Sequence, residues 1–388
     1  MENKLRIGFA SIEDASSVTS WSGIPLNVLN VLRKIPSIEV EMISPLGQKL
    51  KRIYAPFKLQ AKISKKSYDW KRERGSLRHF ATQIEAAFHE RKLDVIFSTS
   101  SIPGTLLDPS VPFVFWTDAT FPLMVGYYST NLLKRTLTAG LRQEETALRR
   151  AEFACYSSNW AADSAKKMAD PARVKVLPFG PNLPIEHTRA DVEGWISERR
   201  AVRPKSCTLL FVGIGWERKG GAIAVQAARR LNEAGIATTL RVVGSAPPGP
   251  MPSFVEILGF INKREPEGYR RLIDLYRTSD IFILPSRAEA FGVVVSEAAA
   301  FGMPALVCAT GGLTETVREG KTGFQLPLED DGTLFAEKAT TILRNYEQFA
   351  VNAYAEYQTR LNWETSVNLL VELLHRAVMG NSRTIRTT

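Results

Sequence analysis

Short runs of β-branched and aromatic residues alternate with longer stretches of amphipathic helical spacing along most of the chain. Such alternation predicts βαβ units and a parallel sheet. In the first half, apolar runs predict strands at residues 5–11, 38–43, 94–100, 113–118, 153–158 and 174–179. In the second half they predict strands at 208–213, 238–244, 255–260, 280–284, 304–309 and 323–326. Helices are predicted at 24–34, 132–150, 220–233, 268–278, 293–301 and 333–344.

A segment rich in proline and glycine, FGPNLPIEH, separates the two halves, and a polar stretch at 191–203 follows it. We therefore predict an α/β protein of two Rossmann-like domains, residues 1–185 and 186–362. A final helix at 363–379 follows the second domain and is able to pack back on the first. Because open α/β sheets bind ligands at the carboxyl ends of their strands, two facing domains would place the site in the cleft between them.

The composition agrees with two soluble domains, since 388 residues include 44% hydrophobic and 23% charged residues. No apolar run is long enough to span a membrane, and the first residues are typical of a strand rather than of a signal peptide. The three cysteines lie in apolar runs without C-x-x-C spacing. We expect buried free thiols and a cytoplasmic protein.

The net charge of +10 is concentrated in the first half, where residues 1–185 hold 26 basic and 17 acidic residues. The segment Lys49–Arg78 alone holds eleven basic and two acidic residues, with four aromatic residues among them. Such a segment predicts peripheral contact with an anionic membrane, and a solvated basic loop is the alternative. An anionic acceptor would be attracted as well. We expect no nucleic acid partner, because the standard zinc-finger and RNA-binding signatures are absent.

Two carboxylates stand around a predicted strand-to-helix turn in the second half. Glu289 lies on the loop after the strand at 280–284, and Glu297 lies about one turn inside the next helix. The backbone N–H groups of Phe291, Gly292 and Val293 lie at the start of that helix, where unpaired donors and the helix dipole suit a phosphate. The carboxylates are suited to sugar and ribose hydroxyls.

Two adjacent basic residues, Arg218 and Lys219, lie on the turn that follows the strand at 208–213, just after Gly215. The arginine guanidinium can donate two parallel hydrogen bonds to a phosphate, and the lysine ammonium adds a compact positive charge, so the pair is suited to a diphosphate. A solvated surface pair is the alternative interpretation.

The segment from Pro285 to Pro304 resembles the Glu-x7-Glu motif of the retaining glycosyltransferases of family 4, a group 1 family with the GT-B fold. The resemblance implies that Glu297 contacts the donor ribose. It also implies that Glu289 and the N–H groups of residues 291–293 contact the donor sugar, and that Arg218 and Lys219 contact the diphosphate.

Further positions follow from the same resemblance. The loop at Phe260 and Ile261 would hold the nucleobase, and Ser22 with Gly23 would form the loop that faces the donor phosphate. Many members of the family carry a histidine near the strand at 113–118, where this chain has Thr117 and Asp118 instead. We therefore add Asp118 as a candidate for binding a sugar or acceptor hydroxyl.

The implied activity is a hexosyltransferase type of transfer, with retention, from a nucleoside diphosphate sugar to an acceptor hydroxyl. No Asp-x-Asp motif suggests a metal, no cofactor is expected, and we favour UDP over GDP in the donor. We expect a role in the synthesis of cell-envelope polysaccharide, exopolysaccharide or glycolipid. The expected location is the cytoplasm, at the inner face of the plasma membrane. A non-catalytic nucleotide-sugar-binding protein and a transferase for a small soluble acceptor are the alternatives.

Overall fold

The computed structural model of the chain describes residues 4–17, 20–48, 50–202 and 206–385. The chain forms two compact units. Unit 1 contains the chain up to Pro178 together with the segment from Trp363 onward, and unit 2 is Phe179–Asn362. The division therefore falls at Pro178 rather than at residue 185, and the final helix is part of unit 1.

Unit 1 is built on a sheet of six parallel strands. These are β1 (Leu5–Ala10), β2 (Ile38–Ile43), β3 (Val95–Ser98), β4 (Phe113–Thr117), β5 (Phe153–Tyr156) and β6 (Val174–Val176). Their order in the sheet is β2-β1-β3-β4-β5-β6. The helices between them are α1 (Ile24–Leu32), α2 (Ala55–Ile63), α3 (Arg74–Glu90), α4 (Phe121–Met124), α5 (Lys134–Arg150) and α6 (Asn159–Lys166).

Unit 2 repeats this architecture with six parallel strands. These are β7 (Ser206–Val212), β8 (Ala237–Val243), β9 (Val255–Gly259), β10 (Ile281–Leu284), β11 (Ala305–Cys308) and β12 (Gly323–Leu326). The order β12-β11-β10-β7-β8-β9 reverses between β7 and β10, as in dinucleotide-binding folds. Its helices are α7 (Arg189–Val202), α8 (Trp216–Lys219), α9 (Gly221–Glu233), α10 (Pro266–Thr278), α11 (Val293–Ala300), α12 (Thr333–Arg344) and α13 (Tyr346–Thr359).

The final helix, α14 (Trp363–Ile385), is held to the core of unit 1 at its first turn. The rings of Trp116 and Trp363 meet edge to face at 5.8 Å. The fully buried indole of Trp116 donates to the carbonyl of Leu177 at 2.8 Å, and the Ser366 hydroxyl donates to the carbonyl of Pro178 at 2.6 Å. A buried indole that has a hydrogen-bond partner is stable in such a core.

The segment after the join between the two units differs from its prediction. The polar stretch at 191–203 was expected to link the domains, but up to residue 202 it forms α7, and residue 203 lies outside the described residues. Val192 and Ile196 are buried in the core of unit 2, together with the charged side chain of Arg199. The guanidinium donates to the Tyr346 hydroxyl and to the carbonyls of Tyr276, Arg277, Phe301 and Gly302. These hydrogen bonds compensate for the cost of burying the guanidinium. Arginine is usually exposed, so the sequence alone would predict Arg199 at the surface.

All twelve predicted strands are present, with ends that differ from the prediction by three residues or fewer. Buried parallel strands read as continuous apolar runs, which is why they could be found. The three cysteines are buried and free, as expected. Within the described ranges, no helix combines the length and the apolar character that crossing a bilayer requires.

Candidate functional site

Two turns of unit 2 meet where its strand order reverses. Strands β7 and β10 are parallel neighbours in the sheet, so the turns that follow them lie at the same edge. The backbone N–H of Arg287 donates to the carbonyl of Arg218 at 2.8 Å. Gly220 has a positive φ of 74°, and a Cβ there would lie 2.0 Å from the carbonyl oxygen of Pro285. Only glycine allows the two turns to approach so closely.

Charged side chains from both turns converge at this contact. The Lys219 ammonium donates to Oε2 of Glu289, and Nη1 of Arg218 lies 3.6 Å from the same oxygen. Arg218 also donates to the carbonyl of Ala288 at 3.0 Å. The side chain of Arg218 is 40% exposed, compared with 9% for Lys219 and 14% for Glu289. One carboxylate is thus balanced by two cations, and the more exposed cation is the arginine.

The backbone between the two predicted carboxylates is fixed on both sides. The Gly312 N–H donates to the Glu289 carbonyl at 3.0 Å, and the buried ring of Phe291 packs against Phe179 at 5.3 Å. Gly292, at the N-cap of α11, has a φ of 87°, and a Cβ there would lie 2.5 Å from a Leu313 methyl. Val293 is the first residue of α11, so residues 291–293 lie at a helix N-terminus, as predicted.

Glu297 is buried on the second turn of α11 and is held by two side chains that the sequence did not indicate. Its Oε2 accepts a hydrogen bond from the Tyr276 hydroxyl at 2.7 Å, and its Oε1 lies 3.7 Å from the Lys263 ammonium. Burial, together with the charge of Glu297, raises the pKa of Tyr276 well above its usual value. Lys263 also donates to the Asn182 carbonyl at 2.7 Å. The Glu297 carboxylate is therefore fixed in place.

Neither of these two partners carries a clear signal in the sequence. A tyrosine on an amphipathic helix is typical of core packing, and Tyr276 is fully buried. Lys263 does follow the loop at Phe260 and Ile261 by two residues, which is the one indication that was available.

The carboxyl ends of β7, β8 and β9 form the rest of this edge. Ser245 donates to the carbonyl of Gly213 at 2.6 Å, which joins the turns after β7 and β8. Phe260 is 73% exposed and Ile214 is 65% exposed, whereas Ile261 is buried. Gly215, with a φ of 94°, is the N-cap of the short helix α8 that carries Arg218 and Lys219.

The remaining predicted residues lie in unit 1, at the carboxyl edge of its sheet. Trp21, Ser22 and Gly23 have φ values of 41°, 58° and 85°, so three left-handed residues in succession lead into α1. Residues 18 and 19 of the same loop lie outside the described residues. Asp118 is half-buried directly after β4. Left-handed non-glycine residues are costly, and they concentrate at functional sites.

Comparison with known proteins relates most of unit 2 to a family. Residues 206–345 match the family model described as "Glycosyl transferases group 1", and this range contains every predicted site residue of unit 2. Through this region the chain resembles the group 1 glycosyl transferases. The resemblance found in the Glu-x7-Glu segment is therefore confirmed at the level of the family.

Several curated relatives of this chain carry the name D-inositol 3-phosphate glycosyltransferase. The protein of that name from Acidothermus cellulolyticus is 27% identical over 232 residues, which cover 56% of this chain and 51% of the relative. The chain thus spans about half the length of that relative.

Solved structures resemble this chain over almost its full length. Sucrose-phosphate synthase from Thermosynechococcus elongatus has a TM-score of 0.66 and 16% identity, covering 97% of this chain and 100% of its own. Anabaena HepE in complex with UDP-glucose has a TM-score of 0.61 and 17% identity, covering 96% and 100%. At such identities the likeness shows the fold, and the predicted GT-B fold is confirmed.

Proposed function

We propose that the protein is a retaining glycosyltransferase that moves a sugar from a nucleoside diphosphate sugar to an acceptor hydroxyl. The observation that carries the proposal is the cluster of Arg218, Lys219 and Glu289 at the switch point of a group 1 domain. Ligands of doubly wound sheets bind at such switch points. A UDP sugar is the proposed donor, in keeping with the UDP-glucose named for HepE.

The donor site follows from the contacts along this edge. Glu297 would accept hydrogen bonds from the ribose hydroxyls, because Tyr276 and Lys263 hold its carboxylate in one position. The exposed apolar side chains of Phe260 and Ile214 would lie against the base. Glu289 would accept hydrogen bonds from the sugar.

Charge stabilisation is the main catalytic effect that this site offers. When the bond to the sugar breaks, the diphosphate leaves with additional negative charge. Arg218, Lys219 and the N-terminus of α11 are placed to stabilise that charge, and fixed groups of this kind lower the barrier without reorganising. Glu289 is engaged by two cations, so we assign it to orienting the sugar rather than to nucleophilic attack. The leaving phosphate would take the proton of the acceptor hydroxyl.

Unit 1 is the proposed acceptor domain, and Ser22, Gly23 and Asp118 are its proposed substrate-binding residues. The names of the curated relative and of sucrose-phosphate synthase both specify a phosphorylated compound. For this chain we propose an acceptor in cell-envelope, exopolysaccharide or glycolipid synthesis.

Contact with an anionic membrane is proposed for the region around α2. Ile53, Leu59 and Ile63 are 65%, 60% and 76% exposed, and basic residues surround them in the sequence. Lys49, at the start of the predicted basic segment, lies outside the described residues. Exposed aliphatic side chains among lysines are typical of helices that lie in a membrane interface. The proposed location is therefore the cytoplasmic face of the plasma membrane.

The donor proposal is tested by screening nucleoside diphosphate sugars for an increase in melting temperature, since a ligand of the native state must stabilise it. Glu297→Ala and Arg218→Ala are expected to abolish the shift. Arg229→Ala, an exposed arginine on α9, is the matched control and should retain it. A shift of equal size in all variants would place the nucleotide elsewhere and overturn the assignment.

Catalysis is tested separately, by following release of the nucleoside diphosphate and the anomeric configuration of the product by NMR. Turnover should persist in EDTA if no metal is needed. Among the described residues, no group of three or more His, Cys, Asp or Glu side chains could hold a metal ion. An inverted product would refute the retaining mechanism. Binding without turnover, with water or with any acceptor tried, would favour the non-catalytic alternative.

Membrane contact is tested by sedimentation with anionic and with zwitterionic vesicles. The wild type should sediment with anionic vesicles only, and a variant combining Leu59→Gln and Ile63→Gln should remain in solution. Val351→Gln removes an exposed aliphatic side chain of unit 2 and serves as the control. If the wild type does not sediment, docking is wrong and a small soluble acceptor is favoured.

A further inference from the structure

Unit 1 contains a cavity of about 720 Å³ that is separate from the predicted site residues. It is lined by the start of α3, by α5 from Lys134 to Thr146 and by the loop that follows β3. Its lining includes five cationic side chains and one carboxylate: Arg72, Arg74, Lys134, Arg135, Arg142 and Glu73. Cavities of this size accommodate small ligands.

The cations of this cavity differ in how far they are already neutralised. Arg135 makes two hydrogen bonds to the Glu73 carboxylate, at 2.5 and 2.7 Å. Within the described parts of the chain, the side chains of Arg74, Lys134 and Arg142 have no ion-pair partner. Three positive charges around one concave surface therefore remain unbalanced, which favours an anion.

The fifth cation, Arg72, is fixed by buried polar groups. Its Nη1 donates to Gln143 and lies 3.5 Å from Glu144, which accepts a hydrogen bond from Ser101 at 3.0 Å. Gln143 in turn donates to Thr105 at 2.9 Å. A side chain held in this way binds a ligand with little loss of conformational entropy.

The same arginine connects the cavity to the predicted acceptor edge of unit 1. Its guanidinium lies over the ring of Phe121 at 4.4 Å, three residues after Asp118. Gly140 of α5 also packs closely on Phe121, since a Cβ there would lie 2.2 Å from the ring. The cavity is thus joined to the loop after β4, at the carboxyl edge of the sheet.

We propose that this cavity binds a phosphate group of the acceptor. The inference rests on the proposed function, because it takes unit 1 as the acceptor domain. Arginine guanidinium groups can donate paired hydrogen bonds to the oxygens of a phosphate ester, and the Lys134 ammonium adds a compact positive charge. A phosphate dianion would balance two of the three unbalanced charges. The apolar side chains of Leu77 and Leu106 also line the cavity and would contact the carbon skeleton of the acceptor.

The test compares phosphate binding in the wild type and in two double variants, by calorimetry at constant ionic strength. Arg74→Gln with Arg142→Gln removes two unbalanced charges from the lining. Arg78→Gln with Arg149→Gln removes two charges from the same helices outside it. Inorganic phosphate and glycerol phosphate should bind at least about tenfold more weakly to the first variant, and the control should bind like the wild type. Equal weakening in both variants would show general charge attraction and overturn the proposal.

Two further measurements complete the test. The first distinguishes a soluble ester from a lipid headgroup as the source of the phosphate, and the second tests donor binding separately from phosphate binding. Glycerol phosphate stands for a soluble ester, and vesicles of a zwitterionic lipid mixed with a small fraction of phosphatidic acid, which is anionic, stand for a lipid headgroup. The source that competes with inorganic phosphate in the wild type identifies the class of acceptor, and competition by neither overturns the proposal. Donor binding, measured by thermal shift, should be unchanged in both double variants. If no donor binds to the wild type, the proposed function fails while the phosphate result is still decided by the variants.

Discussion

Lys219 and Glu289 form an ion pair although they are 70 positions apart in the sequence. Each lies on the turn after a strand, and the two strands, β7 and β10, are neighbours only because the strand order reverses between them. Parallel strands place such turns at one edge of the sheet. The fold therefore brings together two predicted residues of opposite charge in a setting where each partly balances the other.

Removal of the lysine is expected to affect stability and activity in different ways. Lys219→Met takes away the closer of the two cations, and the other cation, Arg218, lies 3.6 Å from the largely buried Glu289. We expect the free energy of unfolding to fall, by at most about 3–5 kcal/mol, because a largely buried charge loses the closer of its two cationic partners. Transfer should fall by about 100-fold or more, since one stabilising group of the leaving diphosphate is gone. Denaturant unfolding and initial rates measure the two effects.

A double variant separates these effects. Combining Lys219→Met with Glu289→Gln removes both charges, so it should recover much of the stability that Lys219→Met loses. Activity should remain low, because neither group is restored. Recovery of activity together with stability would mean that the pair serves folding only.

The hydrogen bond from Tyr276 to Glu297 gives a second prediction. Tyr276→Phe preserves the buried ring and leaves the carboxylate without its 2.7 Å donor. A hydrogen bond to a charged group contributes about 1.5–3 kcal/mol, and we expect a loss of this size in the free energy of unfolding. The KM for the donor should rise while kcat changes little, because the ribose contact is the same in the ground and transition states.

Tyr269→Phe is the matched control for that experiment. Its hydroxyl, on the same helix α10, donates to the Pro184 carbonyl rather than to a carboxylate. The donor KM should therefore stay at the wild-type value. An equal rise in both variants would trace the effect to α10 as a whole and not to Glu297.

The fold could be predicted largely because its strands are apolar on both faces, so each appears as an uninterrupted run between turns. Helices were harder to predict where charge interrupts the apolar spacing. The helix α7 was missed because a buried arginine, Arg199, satisfies its hydrogen bonds with backbone carbonyls that lie far away in the sequence. Long-range partners of this kind leave no local pattern.

The same limit applies to the site. The places of Glu289 on a loop and of Glu297 in the helix that follows could be predicted, because the two residues are close together in the sequence. Lys263 comes from another loop, and only the packing of α10 and α11 brings Tyr276 to Glu297. The roles assigned to these two glutamates and to Arg218 and Lys219 stay predictions. So do the roles assigned to the residues of unit 1, which are Ser22, Gly23 and Asp118.

Acidification should destabilise the protein through His187. Its Nε2 lies 2.7 Å from the Ala300 carbonyl, and its ring packs between Trp195 and Phe301. Burial lowers the pKa of this histidine below its usual value. The unfolded chain therefore binds a proton more tightly than the native state, so stability is lost as the pH falls below about 6.5. Denaturant unfolding at about pH 7.5 and about pH 5.5 should show the loss.

His187→Gln should reduce that pH-dependent loss, because glutamine does not titrate and its amide can still donate to Ala300. His79→Gln leaves His187 in place and is the control, which should retain the wild-type dependence. If both variants lose stability on acidification as the wild type does, other groups cause the effect.

Gly220 tests whether the close approach of the two turns is required for the site. In Gly220→Ala the methyl group meets the Pro285 carbonyl oxygen at 2.0 Å, and the backbone has a φ of 74°. The left-handed conformation costs about 1–2 kcal/mol and the overpacking about 1–3 kcal/mol more. Gly235→Ala has a similar φ of 80° with open space around it, so it should show the cost of the left-handed conformation alone and full donor binding.

Separation of the turns would move Lys219 away from Glu289, and donor binding in Gly220→Ala should fall even at temperatures where it is folded. Equal donor affinity in the two variants would mean that the site tolerates a wider gap between the turns.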